Sequence, residues 1–195
     1  MNKKAHFFSN MRTSWLLAIA GAALAMTLQV GPASALNLVT NGDFEIGDFT
    51  GWDPTTANTG FNSVICGFGA LQGNCSASFG AVGSDGGISQ VINLVVGKTY
   101  FLSFLLAGDG GTQSDVSVSL GGITLLSLVN PPAFSSSLRF AFTATSASET
   151  LAFNFRNDPG YFALDAVAIV LPEPASMGLL AIGLAALFMG LRRKA

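Results

Sequence analysis

Thr99-Tyr100-Phe101-Leu102-Ser103-Phe104-Leu105-Leu106 decides the fold class. In an extended chain successive side chains point to opposite faces. Tyr100, Leu102, Phe104 and Leu106 then share one face, with Phe101, Ser103 and Leu105 on the other. The same period recurs downstream. Leu138, Phe140 and Phe142 alternate with Arg139, Ala141 and Thr143, and Leu151, Phe153 and Phe155 alternate with Ala152, Asn154 and Arg156. Asp115 to Leu120 and Ile123 to Val129 flank Gly121-Gly122, a two-residue hairpin signal. Upstream, Ile88 to Val96 reads as a strand before Gly97-Lys98, and short strands are expected near 37–39, 64–66 and 76–79. Asn157-Asp158-Pro159-Gly160 turns the chain into a last strand, 161–170. Eight to ten short antiparallel strands make an all-β, two-sheet antiparallel sandwich of the jelly-roll kind.

The ends of the chain differ from this middle. Lys3, Lys4 and Arg12 precede an apolar stretch from Trp15 to Met26 and the small residues Ala33-Ser34-Ala35. That is the layout of a signal peptide, 1–35, with cleavage expected after Ala35. At the other end an uncharged run, Ala175 to Leu191, is closed by Arg192, Arg193 and Lys194. As a helix it rises about 25 Å, near the lower limit for spanning a bilayer. The basic cluster belongs on the cytoplasmic side, and Pro172 and Pro174 mark the outer boundary of the span. The expected arrangement is a signal helix, an exported β-sandwich over 36–170, and a C-terminal transmembrane segment over 171–195.

The tail Pro172-Glu173-Pro174, the Gly- and Ala-rich span and terminal Arg192-Arg193-Lys194 resemble the PEP-CTERM sorting signal of exopolysaccharide-producing Gram-negative bacteria. The resemblance implies processing by exosortase, a membrane transpeptidase. It also implies anchoring in the inner membrane before that step, and delivery to the cell surface or extracellular matrix after it.

Within 36–170 only Lys98, Arg139 and Arg156 face ten acids. An acidic surface repels phosphate backbones, so nucleic acid is excluded as a partner. Cys66 and Cys75 stand in the exported part, where an oxidising compartment favours a disulfide closing the short loop between them. The sole histidine, His6, lies in the signal segment, so the domain has no imidazole for a Ser-His-Asp or Cys-His system or for a His-ligated metal. A pair of carboxylates would suffice for a glycosidase. The acids, however, sit mostly beside Gly, Pro or Thr in loop-like sequence, as on a solvated surface. The domain is read as non-enzymatic.

Asn37-Leu38-Val39-Thr40-Asn41-Gly42-Asp43-Phe44-Glu45, followed by Gly51-Trp52, and the closing Tyr161-Phe162-Ala163-Leu164-Asp165-Ala166-Val167 resemble galactose-binding-like jelly rolls and carbohydrate-binding modules. Those domains end in Leu-Asp-Asp-Val, and here Ala166 replaces the second Asp. The resemblance implies glycan binding and a structural Ca2+ held by Glu45 and Asp165. The alternative is that Glu45 caps a turn and Asp165 accepts backbone N–H bonds. Sugars stack on exposed aromatic rings. Trp52 is expected in the core, leaving Phe61, Phe68 and Tyr161 as candidate ligand-binding residues. Two roles remain open: binding extracellular polysaccharide, or a structural or adhesive matrix role without a specific small ligand.

Overall fold

The structure, a computed structural model, describes residues 36–172 and Gly183. The expected signal helix and, but for Gly183, the expected membrane helix lie outside the described residues, as do Glu173, Pro174, Arg192, Arg193 and Lys194.

Ten strands follow in order: β1 (Asp53–Pro54), β2 (Asn62–Cys66), β3 (Cys75–Phe79), β4 (Gly86–Asn93), β5 (Thr99–Gly108), β6 (Ser114–Leu120), β7 (Ile123–Val129), β8 (Phe134–Thr143), β9 (Ser148–Asn157) and β10 (Phe162–Val170). They form two five-stranded sheets. Sheet I runs β1-β4-β9-β6-β7 and sheet II runs β2-β3-β10-β5-β8. Every pairing is antiparallel. Gly121 and Gly122 both adopt positive φ, 56° and 81°, as the tight β6–β7 hairpin requires.

Alternation decides what is buried. Tyr100, Leu102, Phe104 and Leu106 of β5 turn inward and meet Leu151, Phe153 and Phe155 of β9. Phe79 stacks on Phe155 at 4.2 Å, and Phe104 meets Phe153 edge to face at 5.2 Å. Rings at these separations add to the free energy of area burial.

The opening segment closes one end of this core. Phe44 is fully buried and packs on Trp52 at 5.9 Å. Trp52 is only 6% exposed and donates its indole N–H to the Asn41 carbonyl. Gly42 lies against β10: its carbonyl accepts the Val167 N–H at 2.8 Å, and a Cβ there would collide with the Val167 carbonyl. That contact explains Gly after Asn41. Gln90, buried in β4, ties the segment down through Thr40 and the Gly51 carbonyl.

Two elements differ from the sequence expectation. Residues 37–39 form a single bridge, Asn37 to Val170, rather than a strand. Beside them β10 bulges between Asp165 and Ala168, which breaks the ladder that a longer first strand would need. The strand at 88–96 ends at Asn93, because Leu94 bonds to Ala147 and the Val95 N–H is taken by the Tyr100 hydroxyl.

Candidate functional site

The outer face of sheet II is set out by its registers. One row of small residues crosses all five strands: Ser63, Ser78, Ala163, Ala107 and Ser135. With so little side-chain volume the row makes a shallow trough, in which Ser78 is only 7% exposed. Just past the strand ends, the same registers carry Phe61 and Tyr161 to either side of Gly80. The Gly80 N–H donates to the Phe61 carbonyl at 3.2 Å, and a Cβ on Gly80 would lie 2.5 Å from the Tyr161 ring. Two strand spacings separate the flanking residues, about 10 Å. Phe61 is 49% exposed and Tyr161 51% exposed, so both rings stand as a rim beside the trough with glycine between them.

Tyr161 is held from behind. Asp109 accepts its backbone N–H at 3.0 Å, along with the Asn157 amide at 2.9 Å and the Gly111 N–H at 3.2 Å. Desolvation raises the pKa of the Asp109 carboxyl, but hydrogen bonds from Asn157, Tyr161 and Gly111 outweigh it and hold the group below its ordinary value. The charged carboxylate thus fixes the turn that presents Tyr161. Farther along the face, the Arg139 guanidinium covers the Phe101 ring at 3.8 Å, a cation–π pair. Sequence reading did not single out Gly80, Asp109 or Arg139. The signal within reach was Phe101 facing away from Tyr100 and Leu102, with Arg139 in the same alternation on β8.

Of the three candidate aromatic residues, the structure places Phe61 and Tyr161 on the same edge of sheet II, with Gly80 between them, and leaves Phe68 apart. Phe68 projects fully into solvent from the loop beyond Cys66. The five residues of β2, about 17 Å of strand, separate it from Phe61.

That loop is closed by the Cys66–Cys75 disulfide, and both candidate metal carboxylates end on it. Glu45 Oε1 accepts the N–H of Asn74 at 2.6 Å and of Cys75 at 3.0 Å. Asp165, fully buried, accepts the Gln72 N–H at 2.8 Å on Oδ2 and the Ala166 N–H at 2.6 Å on Oδ1. The N–H bonds from Cys75 and Asn74 hold the Glu45 pKa below its ordinary value. Desolvation raises that of Asp165, and the negative charges of Glu45 and Asp43 add to the rise. The two side chains therefore converge as capping groups for backbone N–H. Every hydrogen bond recorded to these two carboxylates comes from a backbone N–H, so a hard cation such as Ca2+ could use only the lone pairs left over. Among the described residues no three His, Cys, Asp or Glu side chains group as a metal site, so backbone carbonyls would have to complete the shell. Ala166 sits at φ 50° in the bulge, a conformation that Asp or Asn adopts more readily than Ala.

Comparison with known proteins bears on the tail and on the fold. Residues 170–194 match the PEP-CTERM protein-sorting motif. Among curated proteins none matches the chain. Solved structures similar to it in fold include carbohydrate-binding modules. TmCBM61, determined with β-1,4-galactotriose, superposes with a TM-score of 0.59 at 15% identity, covering 71% of this chain and 100% of its own. The CBM22-1 xylan-binding domain of Paenibacillus barcinonensis Xyn10C gives 0.52 at 18% identity, covering 74% and 100%. An arabinose-bound α-L-arabinofuranosidase, MgGH51, gives 0.53 at 13% identity, but the shared fold is only 27% of that chain.

Proposed function

We propose that this is an exported, non-enzymatic protein that binds an extended neutral polysaccharide in the cell envelope or extracellular matrix. The observation that carries the reading is the Phe61–Gly80–Tyr161 rim bordering the Ser and Ala trough of sheet II. Apolar faces of sugar rings stack on such aromatics, while small hydroxyl side chains leave room for the chain and bond its hydroxyls. The excess of acids over cations in the domain disfavours an anionic polymer. The sugars seen with or named for the similar modules, galactotriose and xylan, belong to the same broad class of ligand. Exosortase is the proposed processing partner, acting at the motif around Pro172-Glu173-Pro174 and releasing the domain from its inner-membrane anchor. A structural Ca2+ between Glu45 and Asp165 is part of the proposal, supported by the buried Asp165 and its negative neighbours.

The test is a glycan array probed with the purified protein in a non-glycosidic detergent, followed by titration against the best neutral polysaccharide. Tyr161→Ala and Phe61→Ala should each weaken binding about tenfold, a loss of about 1.4 kcal/mol, while Phe68→Ala leaves it unchanged. Binding that survives both rim substitutions would refute the assignment of the groove. Absence of binding to every neutral glycan would favour a purely structural matrix role.

A further inference from the structure

The sandwich is open along the edge where β7 of sheet I and β8 of sheet II lie last in their strand orders. A cavity of about 250 Å3 lies there, beside the β6–β7 hairpin. Ile123 and Leu125 of β7 and Phe142 of β8 give it apolar walls, and none of the three is fully buried. Ile123 is 62% exposed. Glu149, on the inner side of β9, is the one charged side chain that lines the cavity, and it is only 8% exposed. Its Oε1 accepts the Thr145 N–H at 2.8 Å, the Thr145 hydroxyl at 2.9 Å and the Ser146 N–H at 3.1 Å. Its Oε2 accepts no hydrogen bond among the described residues, yet it is not one of the sealed polar atoms of the interior. Oε2 lies over Gly121, where a Cβ would come within 2.9 Å of it, so glycine there leaves it room.

Desolvation raises the Glu149 pKa, but hydrogen bonds from Thr145 and Ser146 outweigh it and hold the group below its ordinary value. The side chain is therefore a carboxylate at neutral pH, with one oxygen saturated and one free. A largely buried charge without a counter-charge is costly, and a cation that bonds to it offsets part of that cost. The lining selects the kind of cation. One carboxylate among apolar side chains cannot supply the roughly 6–8 oxygens that Ca2+ takes. A guanidinium fork matches both oxygens of a carboxylate, and here Oε1 is already taken. An ammonium is a compact charge that bonds to a single oxygen. The volume is below the range of about 300–1,000 Å3 typical of sites for drug-sized ligands, so the occupant is small. Ile123, Leu125 and Phe142 then cover its C–H groups. The excess of acids in the domain draws such cations towards it.

We propose that this edge cavity is a second binding site, one that takes a small organic ammonium, a primary amine carried on a compact ring or alkyl body. It rests on the cavity and the free oxygen of Glu149, not on the sheet II groove, and the two fail separately. Full-length protein with labelled Ile and Leu methyl groups, in a non-glycosidic detergent at neutral pH, is titrated with cyclohexylammonium and with cyclohexanol. Methyl NMR spectra report on the cavity walls, and the signal lost in Ile123→Ala assigns that methyl group. The Ile123 and Leu125 signals should shift saturably with the amine. Cyclohexanol, of the same shape without the charge, should bind at least tenfold more weakly. Glu149→Gln, which keeps an amide oxygen for the bonds from Thr145 and Ser146, should weaken the amine tenfold or more. Ile123→Ala, at an exposed wall, should weaken it about threefold, read at Leu125. Tyr161→Ala, which tests the groove, should leave it unchanged. No shift with the amine, or equal affinity for amine and alcohol, would overturn the proposal. So would a folded Glu149→Gln variant that binds like the parent. Should that variant fail to fold, the amine-to-alcohol ratio and Ile123→Ala decide alone, and parental affinity in Ile123→Ala overturns the site equally.

Discussion

Removing the Cys66–Cys75 disulfide tests how the loop over sheet II is held. The two half-cystines are nine positions apart and pair directly across β2 and β3. Closing a loop of that length restricts the unfolded chain by about 2.7 kcal/mol at 25 °C in the chain-entropy account. The folded loop does not rest on the bridge alone. Gly67 donates to the Asn74 carbonyl at 2.7 Å, Glu45 accepts two N–H groups of 74–75, and Asp165 accepts that of Gln72. The Cys66→Ala/Cys75→Ala double variant should therefore keep the sandwich and lose about 2–3 kcal/mol, or roughly 10 °C in melting temperature for a domain of this size. Thermal and urea unfolding followed by circular dichroism measure both quantities. Glu45→Gln should cost more in the disulfide-free background than in the oxidised protein, because the two constraints hold one loop and are not additive. A drop below about 3 °C would mean that the hydrogen bonds already restrict the loop in the unfolded ensemble. Loss of cooperative unfolding would mean that the bridge is required for the fold, and either result refutes the reasoning.

Three further outcomes are expected. Melting should rise by several degrees in millimolar Ca2+ relative to chelator, since a ligand that binds only the folded form stabilises by RT ln(1 + [L]/Kd). Asp165→Asn should abolish that difference, and an unmoved melting temperature refutes the cation. The pH dependence in chelator follows from the raised Asp165 pKa, because the folded protein favours its protonated form. Relative to Asp165→Asn, the parent should thus lose stability as pH rises from the ordinary value of 3.8 through the higher folded value, with the full cost present above it. Replacing Pro172, Glu173 and Pro174 by alanines should leave export intact but block processing, seen on a gel as retention of the larger species, and normal processing of that variant would rule out the motif.

The core was legible because it obeys a local rule. Tyr100 to Leu106 and Leu151 to Phe155 show period-two alternation within a few residues, and burial follows it without exception. Trp52 was expected in the core from the resemblance of Gly51-Trp52 to carbohydrate-binding modules, and there Asn41 and Phe44 pack around it. The site was legible only as a set of exposed rings. Phe61 and Tyr161 are separated by most of the domain's sequence and come to the same edge of sheet II because β3 pairs with β2 on one side and β10 on the other. Register of that kind comes from the packed sheets and leaves no trace in either segment alone. Gly80 illustrates the gap: in sequence it follows Phe79 as an ordinary turn residue, yet its missing Cβ is what admits the Tyr161 ring. Phe68 shows the converse, since its exposure was foreseen and its distance from the other rings was not.

The strand β10 links the two ends of the proposed activity. Tyr161 precedes it, and Val170, at its far end, leads into the sorting motif. Asn37 bridges to Val170, and the Leu38 N–H donates to the Ile169 carbonyl, so the start of the exported domain leaves from that same end. Nine residues of strand put the aromatic rim about 30 Å from both attachments. At physiological salt that is more than three screening lengths of about 8 Å. With β10 directed away from the membrane, a domain still anchored at Pro172 would carry its rim beyond the reach of the membrane's surface charge. Cleavage at the motif would remove no residue of the rim or the trough. Binding should therefore be the same before and after processing, with the domain's location the only thing that processing changes.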